Sequence, residues 1–347
     1  IMSAMRRYNY QYKERRINYN YTFKWLEEAL INENRQLFIE RFSSLACIIN
    51  EGSNIEELNI SDLTTIMHDL MSKNRDRESM IKETLNDIAE KGRDEIIKSS
   101  ASKVLRWIDV GVVVFVSPEA GPISKAGGMA DVLEGLPLVL SRSGLKVYVI
   151  SPLYKYTESI KNGHIQREYT REETTRRYQI KYSGKVPQVY IGRHGLVPVA
   201  IAQTNIKGVS YLLLDDSDFT DALYGQLRGD TTDNNQKVTK EHEELRSVLL
   251  SLGALEAMKY MNIHPGIIIG NDWMCAPLMA HLNSERSMYK KDPHFSGTRT
   301  IGWVHNNGQD YQFKVPRYEH GVDLLNNIGL PSEDYGWFID PHNPQLI

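Results

Sequence analysis

Cysteine is scarce in this sequence, which has only Cys47 and Cys275 among its 347 residues. Two cysteines cannot form a disulfide framework, and the distance between them fits none of the usual zinc-binding spacings. A reducing compartment is the plain inference. Cytoplasm and plastid stroma both meet this condition, and the sequence does not choose between them.

A long apolar run and an excess of positive charge are also missing. No apolar run reaches the roughly 18 residues that a membrane-spanning helix needs, so we predict no membrane association. The net charge of -3 provides no basic field, and nucleic acid is therefore not expected as a partner. Hydrophobic residues make up 41% and charged residues 24%, which is typical of a globular protein.

The first hundred residues carry a helical pattern. After a predicted cap at Ser61, apolar residues recur at helical spacing from Leu63 to Met71, and shorter stretches before and after repeat the same period. We predict an α-helical extension over residues 1–105. It serves either as a packing element or spacer, or as a surface for a protein partner or a second copy.

From residue 106 to residue 347 the pattern predicts an α/β domain. The valine-rich run Val110–Val116 is typical of a strand buried on both faces. A helical pattern and a second strand, Leu145–Ile150, follow it, and a strand–helix–strand unit favours a parallel sheet. We therefore predict a Rossmann-like parallel sheet with helices on both faces, and an antiparallel insertion with short strands over residues 178–182, 186–191 and 197–202.

Three predicted strands end in polar residues. The first is followed by Glu119 and Lys125, another by Asp272 and Trp273, and a third by His305 and Asn306. Ligands of open parallel sheets bind outside the carboxyl ends of the strands. We therefore expect a binding site where these residues meet.

The loop that contains Lys125 has features of an anion site. A helix N-terminus presents unpaired N–H groups and roughly half a positive charge, which suits a phosphate. Gly127 and Gly128 have no Cβ, so a ligand can approach the backbone closely, and Lys125 adds a full charge. The combination suits a diphosphate better than a neutral sugar. The alternative is a tight turn with a solvated lysine.

Several segments together resemble one enzyme family. "SKAGGMADVLEGLP" is similar to the K-x-G-G-L signature of starch synthases and bacterial glycogen synthases, and "NDWMCAPLMAHL" and "IGWVHNNGQDYQ" resemble two further segments of that family. "DALYGQLRGDTTDNNQ" resembles its Y-G segment. The segments occur in family order over about residues 109–340.

The resemblance implies a fold and a reaction. The fold is GT-B, in which two Rossmann-like domains face each other across a cleft, and this chain would supply the N-terminal one. The reaction is retaining transfer of glucose from ADP-glucose to the non-reducing end of an α-1,4-glucan, without a cofactor or a metal. Because the chain begins with isoleucine and stops at "DPHNPQLI", we expect a fragment that lacks the second domain and is inactive alone.

The resemblance also implies roles for the site residues. Lys125, Gly127 and Gly128 would bind the donor diphosphate, and His305 and Asp272 would lie at the reacting sugar as catalytic residues. Five further residues would contact sugar or acceptor: Glu119, Asp131, Trp273, Asn306 and Tyr224.

Structural roles compete with several of these assignments. Glu119 fits a carboxylate that braces its loop, Asp131 fits one that stabilises the first turn of a helix, and Trp273 fits core packing. His305 at a strand end also fits a structural histidine. The acidic cluster of Asp215, Asp216 and Asp218 fits solvated or capping carboxylates, so no metal site is predicted.

Departures from the family pattern leave other functions open. Ala126 replaces a threonine, Met274 replaces a histidine, and the loop after His305 has two extra residues. A non-catalytic glucan-binding or regulatory module with the synthase fold is therefore the alternative. A related retaining enzyme that uses UDP-glucose is a third hypothesis.

Overall fold

The structure is a computed structural model that describes residues 19–50, 59–161, 164–216, 240–305, 318–319 and 322–338. The chain divides into two compact units, formed by residues 1–111 with 140–146 and by residues 112–139 with 147–347. The division into domains over 1–105 and 106–347 stays a prediction, because compactness does not show which segments fold independently.

The described part of the first unit contains five complete α-helices, which confirms the predicted helical region. They are α1 (Tyr19–Ile31), α2 (Arg35–Asn50), α3 (Ile60–Lys73), α4 (Glu78–Lys91) and α5 (Glu95–Trp107). The predicted cap at Ser61 is wrong by two residues. The side chain of Asn59 caps α3 by accepting from the backbone N–H groups of Ser61 and Asp62, and a cap of this kind contributes about 1 kcal/mol.

One apolar core holds these helices together. Leu63, Ile66, Met67 and Leu70 of α3 are fully or almost fully buried, as their spacing predicts. They pack in one cluster with apolar residues of the other four helices. Burial of a side chain of this size stabilises the fold by about 1.5–3 kcal/mol relative to exposure.

The second unit is built on a seven-stranded sheet in the order β11-β10-β1-β2-β9-β8-β5. Its strands are β1 (Val112–Val116), β2 (Lys146–Pro152), β5 (Lys181–Tyr182), β8 (Ala200–Ile206), β9 (Val209–Asp215), β10 (Pro265–Asn271) and β11 (Arg299–Trp303). The other strands form three antiparallel pairs: β3 (Tyr156–Lys161) with β4 (His164–Thr170), β6 (Gln188–Tyr190) with β7 (Leu196–Pro198), and β12 (Tyr318–Glu319) with β13 (Val322–Asp323).

The sheet has a parallel part and an antiparallel part, as predicted. β1 pairs in parallel with β10, β10 with β11, and β2 with β9. β8 runs antiparallel to both β9 and β5. All five residues of β1 are buried, which confirms the strand predicted from its valine-rich run.

The described part of the second unit also contains five α-helices. They are α6 (Gly128–Arg142), α7 (Arg171–Arg177), α8 (Lys240–Tyr260), α9 (Ala276–Asn283) and α10 (Met288–Lys291). The apolar residues of α8 share a core with β1, β2 and β9. From Leu245 to Leu255 almost every residue of α8 is buried, which is typical of a helix enclosed within a domain. None of the described helices is long and apolar enough to cross a membrane.

Candidate active site

The residues predicted to form a site follow three neighbouring strands. β11, β10 and β1 are adjacent and parallel, with Val116 of β1 level with Gly270 of β10, and Gly270 level with Gly302 of β11. Glu119, Asp272 and His305 therefore extend from one edge of the sheet, where parallel sheets bind ligands. This convergence agrees with the sequence prediction, whereas the chemical role of each residue stays a prediction.

Asp272 adopts a backbone conformation that is rare for an aspartate. Its φ of 61° and ψ of -178° lie in a region occupied almost only by glycine, at a cost of about 1–3 kcal/mol. Three hydrogen bonds hold it there. Its N–H donates to the Trp303 carbonyl (2.8 Å), its carbonyl accepts from Cys275 N–H (3.1 Å), and its Oδ1 accepts from His305 N–H (2.7 Å). The surrounding turn thus fixes the carboxylate before any ligand arrives.

The ring of His305 is also held in place. Its Nε2 lies 2.8 Å from Oδ1 of Asn271, and the ring stacks on Trp303 with a centroid separation of 5.1 Å. The Asn271 amide nitrogen donates to the carbonyls of Val116 (3.0 Å) and Ile269 (3.3 Å). The other amide atom is therefore the oxygen, which can only accept, so Nε2 of His305 carries the hydrogen. Nδ1 is left as the ring nitrogen that can accept a hydrogen bond.

Asn271 was missed by the sequence analysis. It is completely buried, and it connects β1 and β10 to His305. The signal available in the sequence was an asparagine that directly follows an apolar strand and precedes Asp272. A buried amide needs hydrogen-bond partners, and here those partners belong to the site.

Glu119 braces the glycine-containing loop. Its side chain is buried, and Oε2 accepts from the backbone N–H groups of Ala126 (3.1 Å) and Gly127 (3.0 Å). Of its two sequence interpretations, the structure therefore shows the bracing one, and sugar contact stays a prediction. Since Glu119 already occupies these two amides, an anion on this loop would rely on Lys125 and on the start of α6.

Lys125 forms an ion pair with Asp131 in the first turn of α6. The hydrogen bond that Lys125 donates to the Asp131 carboxylate raises the pKa of Lys125 above its usual value. The lysine is therefore positively charged throughout the neutral range. Both side chains remain substantially exposed, at 48% and 63%, so the pair is within reach of a ligand.

The fold itself does not require the two glycines. Neither has a positive φ, and no described atom lies within 4 Å of a Cβ built at Gly128. A Cβ at Gly127 would meet Glu119 Oε1 at an ordinary 3.5 Å. The glycines therefore leave open space beside Lys125 rather than relieve strain.

The remaining predicted positions differ in outcome. Trp273 is partly buried against the hydrophobic core of the second unit, which agrees with a packing role. Met274, where the family pattern has a histidine, is buried in the same core, and its carbonyl accepts from Ser247 and Ser251. Tyr224 and Asn306 lie outside the described residues.

Acidic residues at the end of β9 are engaged within the protein. Asp215 forms an ion pair with Arg171 at 2.7 Å and accepts a hydrogen bond from the hydroxyl of Tyr182. Asp218 lies outside the described residues. Within the described part of the chain, no three His, Cys, Asp or Glu side chains are grouped as metal ligands.

The structure is an α/β domain in which a lysine, two open glycines, an aspartate and a histidine follow the carboxyl ends of neighbouring parallel strands. The family model of the starch synthase catalytic domain matches residues 112–343. Because the match covers more than half of the chain, the chain belongs to this family.

Individual relatives agree with this assignment. The glycogen synthase of Geotalea daltonii is 30% identical over 217 residues, which cover 61% of this chain and 38% of the relative. The glycogen synthase of Thermotoga maritima is 27% identical over 230 residues, covering 66% of this chain and 40% of the relative. The chain thus spans about two fifths of the length of these relatives.

A solved structure is also similar. The catalytic domain of starch synthase IV from Arabidopsis thaliana, bound to ADP and acarbose, superposes with a TM-score of 0.48 at 22% identity. The similarity covers 67% of this chain and 39% of that one.

Proposed function

We propose that the full-length protein transfers glucose from ADP-glucose to the non-reducing end of an α-1,4-glucan, with retention of anomeric configuration. Family membership supports glucosyl transfer. The observation that carries the proposal is the open space at Gly128 beside the charged Lys125, at the same sheet edge as Asp272 and His305. A diphosphate and the sugar attached to it need this combination of cation, open backbone and polar side chains.

Lys125 acts on the leaving diphosphate in this proposal. Negative charge grows on the phosphate as the glycosidic bond breaks, and a fixed cation nearby lowers the barrier. Asp131 supplies the counter-charge for the lysine before the donor binds. ADP-glucose is a substrate, and the transfer uses no cofactor.

Asp272 and His305 act on the glucosyl unit. Oδ1 of Asp272 already accepts a hydrogen bond from the His305 N–H. We therefore propose that Oδ2 accepts a hydrogen bond from a sugar hydroxyl. The fixed His305 ring provides a second polar contact to the sugar. Because both groups are held in place by the turn after β10, they need little rearrangement when the sugar binds.

A lysine substitution tests the proposal. Transfer of labelled glucose from ADP-glucose to glycogen is measured for the full-length protein and for Lys125→Ala. We expect kcat/KM to fall by about 100-fold or more, since the lost charge acts on the transition state. Lys290→Ala, which removes an exposed lysine of α10, is the matched control and should retain full activity.

Two outcomes would contradict the proposal. Equal transfer by Lys125→Ala and the unaltered protein would show that the lysine does not act on the leaving diphosphate. No transfer by the unaltered protein from ADP-glucose or UDP-glucose, with glycogen still bound, would favour the non-catalytic glucan-binding module.

A further inference from the structure

Three tyrosine hydroxyls converge on the loop that precedes Lys125. Tyr154 donates to the carbonyl of Pro118 (2.8 Å), Tyr211 to that of Gly121 (2.8 Å) and Tyr178 to that of Pro122 (2.7 Å). We propose that these three tyrosines, which we call the tyrosine clasp, are positioning residues that set the affinity for the donor diphosphate. This inference rests on the proposed function.

The three tyrosines of the clasp lie in separate parts of the fold. Tyr154 follows β2, Tyr178 follows α7, and Tyr211 lies within β9. Their positions in the sequence are 36, 56 and 90 residues away from the carbonyls that they bind. Local backbone structure therefore cannot account for their meeting, and the loop is fixed by the tertiary fold.

Helix α6 confines the same loop. A Cβ at Gly121 would lie only 2.3 Å from the carbonyl oxygen of Ala130, so only a glycine allows this close approach. Its carbonyl accepts from Tyr211, while its Cα lies against α6. The loop is thus held both by the tyrosines and by the helix whose N-terminus follows Lys125.

Glu119 links the clasp to the donor-binding residues. It directly follows Pro118, the partner of Tyr154, and its carboxylate binds the N–H groups of Ala126 and Gly127. A shift of the Pro118 carbonyl would therefore move Glu119 and with it the backbone next to Lys125. The carboxylate of Glu119 is therefore the connection between the tyrosine clasp and the backbone beside Lys125.

The hydroxyls suit a permanent positioning role. Burial raises the pKa of both Tyr178 and Tyr211. Both phenols therefore stay protonated and continue to donate throughout the neutral pH range. Tyr154 is further fixed by the Arg246 guanidinium, which lies 5.8 Å from the centre of its ring.

Phenylalanine substitutions in the full-length protein test the clasp, since each removes one hydroxyl and keeps the ring. We expect Tyr178→Phe and Tyr211→Phe each to weaken ADP binding about 3- to 10-fold, and the double variant to weaken it further. KM for ADP-glucose should rise in parallel, while KM for glycogen stays unchanged. Calorimetric titration with ADP and steady-state kinetics measure these quantities.

The matched control is Tyr289→Phe. Tyr289 is also buried, and its hydroxyl donates to Glu256 at 2.8 Å rather than to the loop. This variant should lose thermal stability without any change in ADP affinity. If the clasp only stabilised the fold, Tyr211→Phe would behave in the same way, and the inference would be overturned.

Two further measurements separate the clasp from the proposed function. Hydrogen exchange at the N–H groups of Ala126 and Gly127 should be faster in Tyr211→Phe than in Tyr289→Phe, whether or not ADP is present, and equal rates would overturn the clasp. If the unaltered protein binds no ADP, the proposed function fails and the clasp loses its link to the donor. If Lys125→Ala weakens ADP binding and the tyrosine variants do not, only the clasp fails.

Discussion

At the scale of single residues, the site depends on a strained aspartate and a buried asparagine. Asp272 occupies a glycine-like conformation because its backbone and carboxylate bind Trp303, Cys275 and His305. Asn271 completes the arrangement by holding the His305 ring. Strain of this kind persists only where neighbouring contacts determine the conformation, so this turn is built to place two side chains.

Asn271→Ala should destabilise the protein. It removes two donated hydrogen bonds and the anchor of His305, and it leaves the carbonyls of Val116 and Ile269 buried without these bonds. We expect the free energy of unfolding to fall by about 2–4 kcal/mol, as measured by urea denaturation. Asn283→Ala is the control, because Asn283 also donates two hydrogen bonds but is exposed. Equal losses in the two variants would contradict this account of Asn271.

At the scale of secondary-structure elements, the sequence predicted the parallel strands and the edge where they end. β1 was readable because its valine-rich run is buried on both faces. The hairpin of β3 and β4 was not predicted, since its strands "YTESIK" and "HIQREYT" are mainly polar and have no apolar alternation. The bracing role of Glu119 was one of its two sequence interpretations. The tyrosine clasp was beyond sequence reasoning, because it depends on which elements lie side by side in the fold.

A substitution of Gly128, at the start of helix α6, can separate the role of this glycine in ADP binding from its effect on stability. Gly128→Ala introduces a methyl group where no described atom lies within 4 Å. We expect unchanged or slightly higher stability, by at most about 1 kcal/mol, but clearly weaker ADP binding, since the methyl group blocks the open space. Thermal unfolding and calorimetric titration of the full-length protein measure the two effects.

Gly135→Ala is the matched control for this substitution. Gly135 lies in the same helix and has equally open surroundings in the described structure. It should leave ADP affinity unaltered. If both alanine variants bind ADP as tightly as the unaltered protein, the donor does not approach the start of α6.

At the scale of the whole molecule, the chain corresponds to only part of the length of its relatives. It belongs to the starch synthase catalytic domain family but spans about two fifths of the length of its glycogen synthase relatives. We therefore expect the 347-residue chain alone to transfer no glucose under conditions in which the full-length protein does. Transfer by the isolated chain at a comparable rate would show that this segment contains the complete active site.

The most direct test of the central claim is the initial rate of glucose transfer by the full-length protein from ADP-glucose to a malto-oligosaccharide. The product is then digested with a hydrolase specific for α-1,4 linkages. We predict sustained transfer, faster than from UDP-glucose, with all added glucose released by the hydrolase. No transfer from ADP-glucose, or added glucose in a linkage that resists the hydrolase, would contradict it.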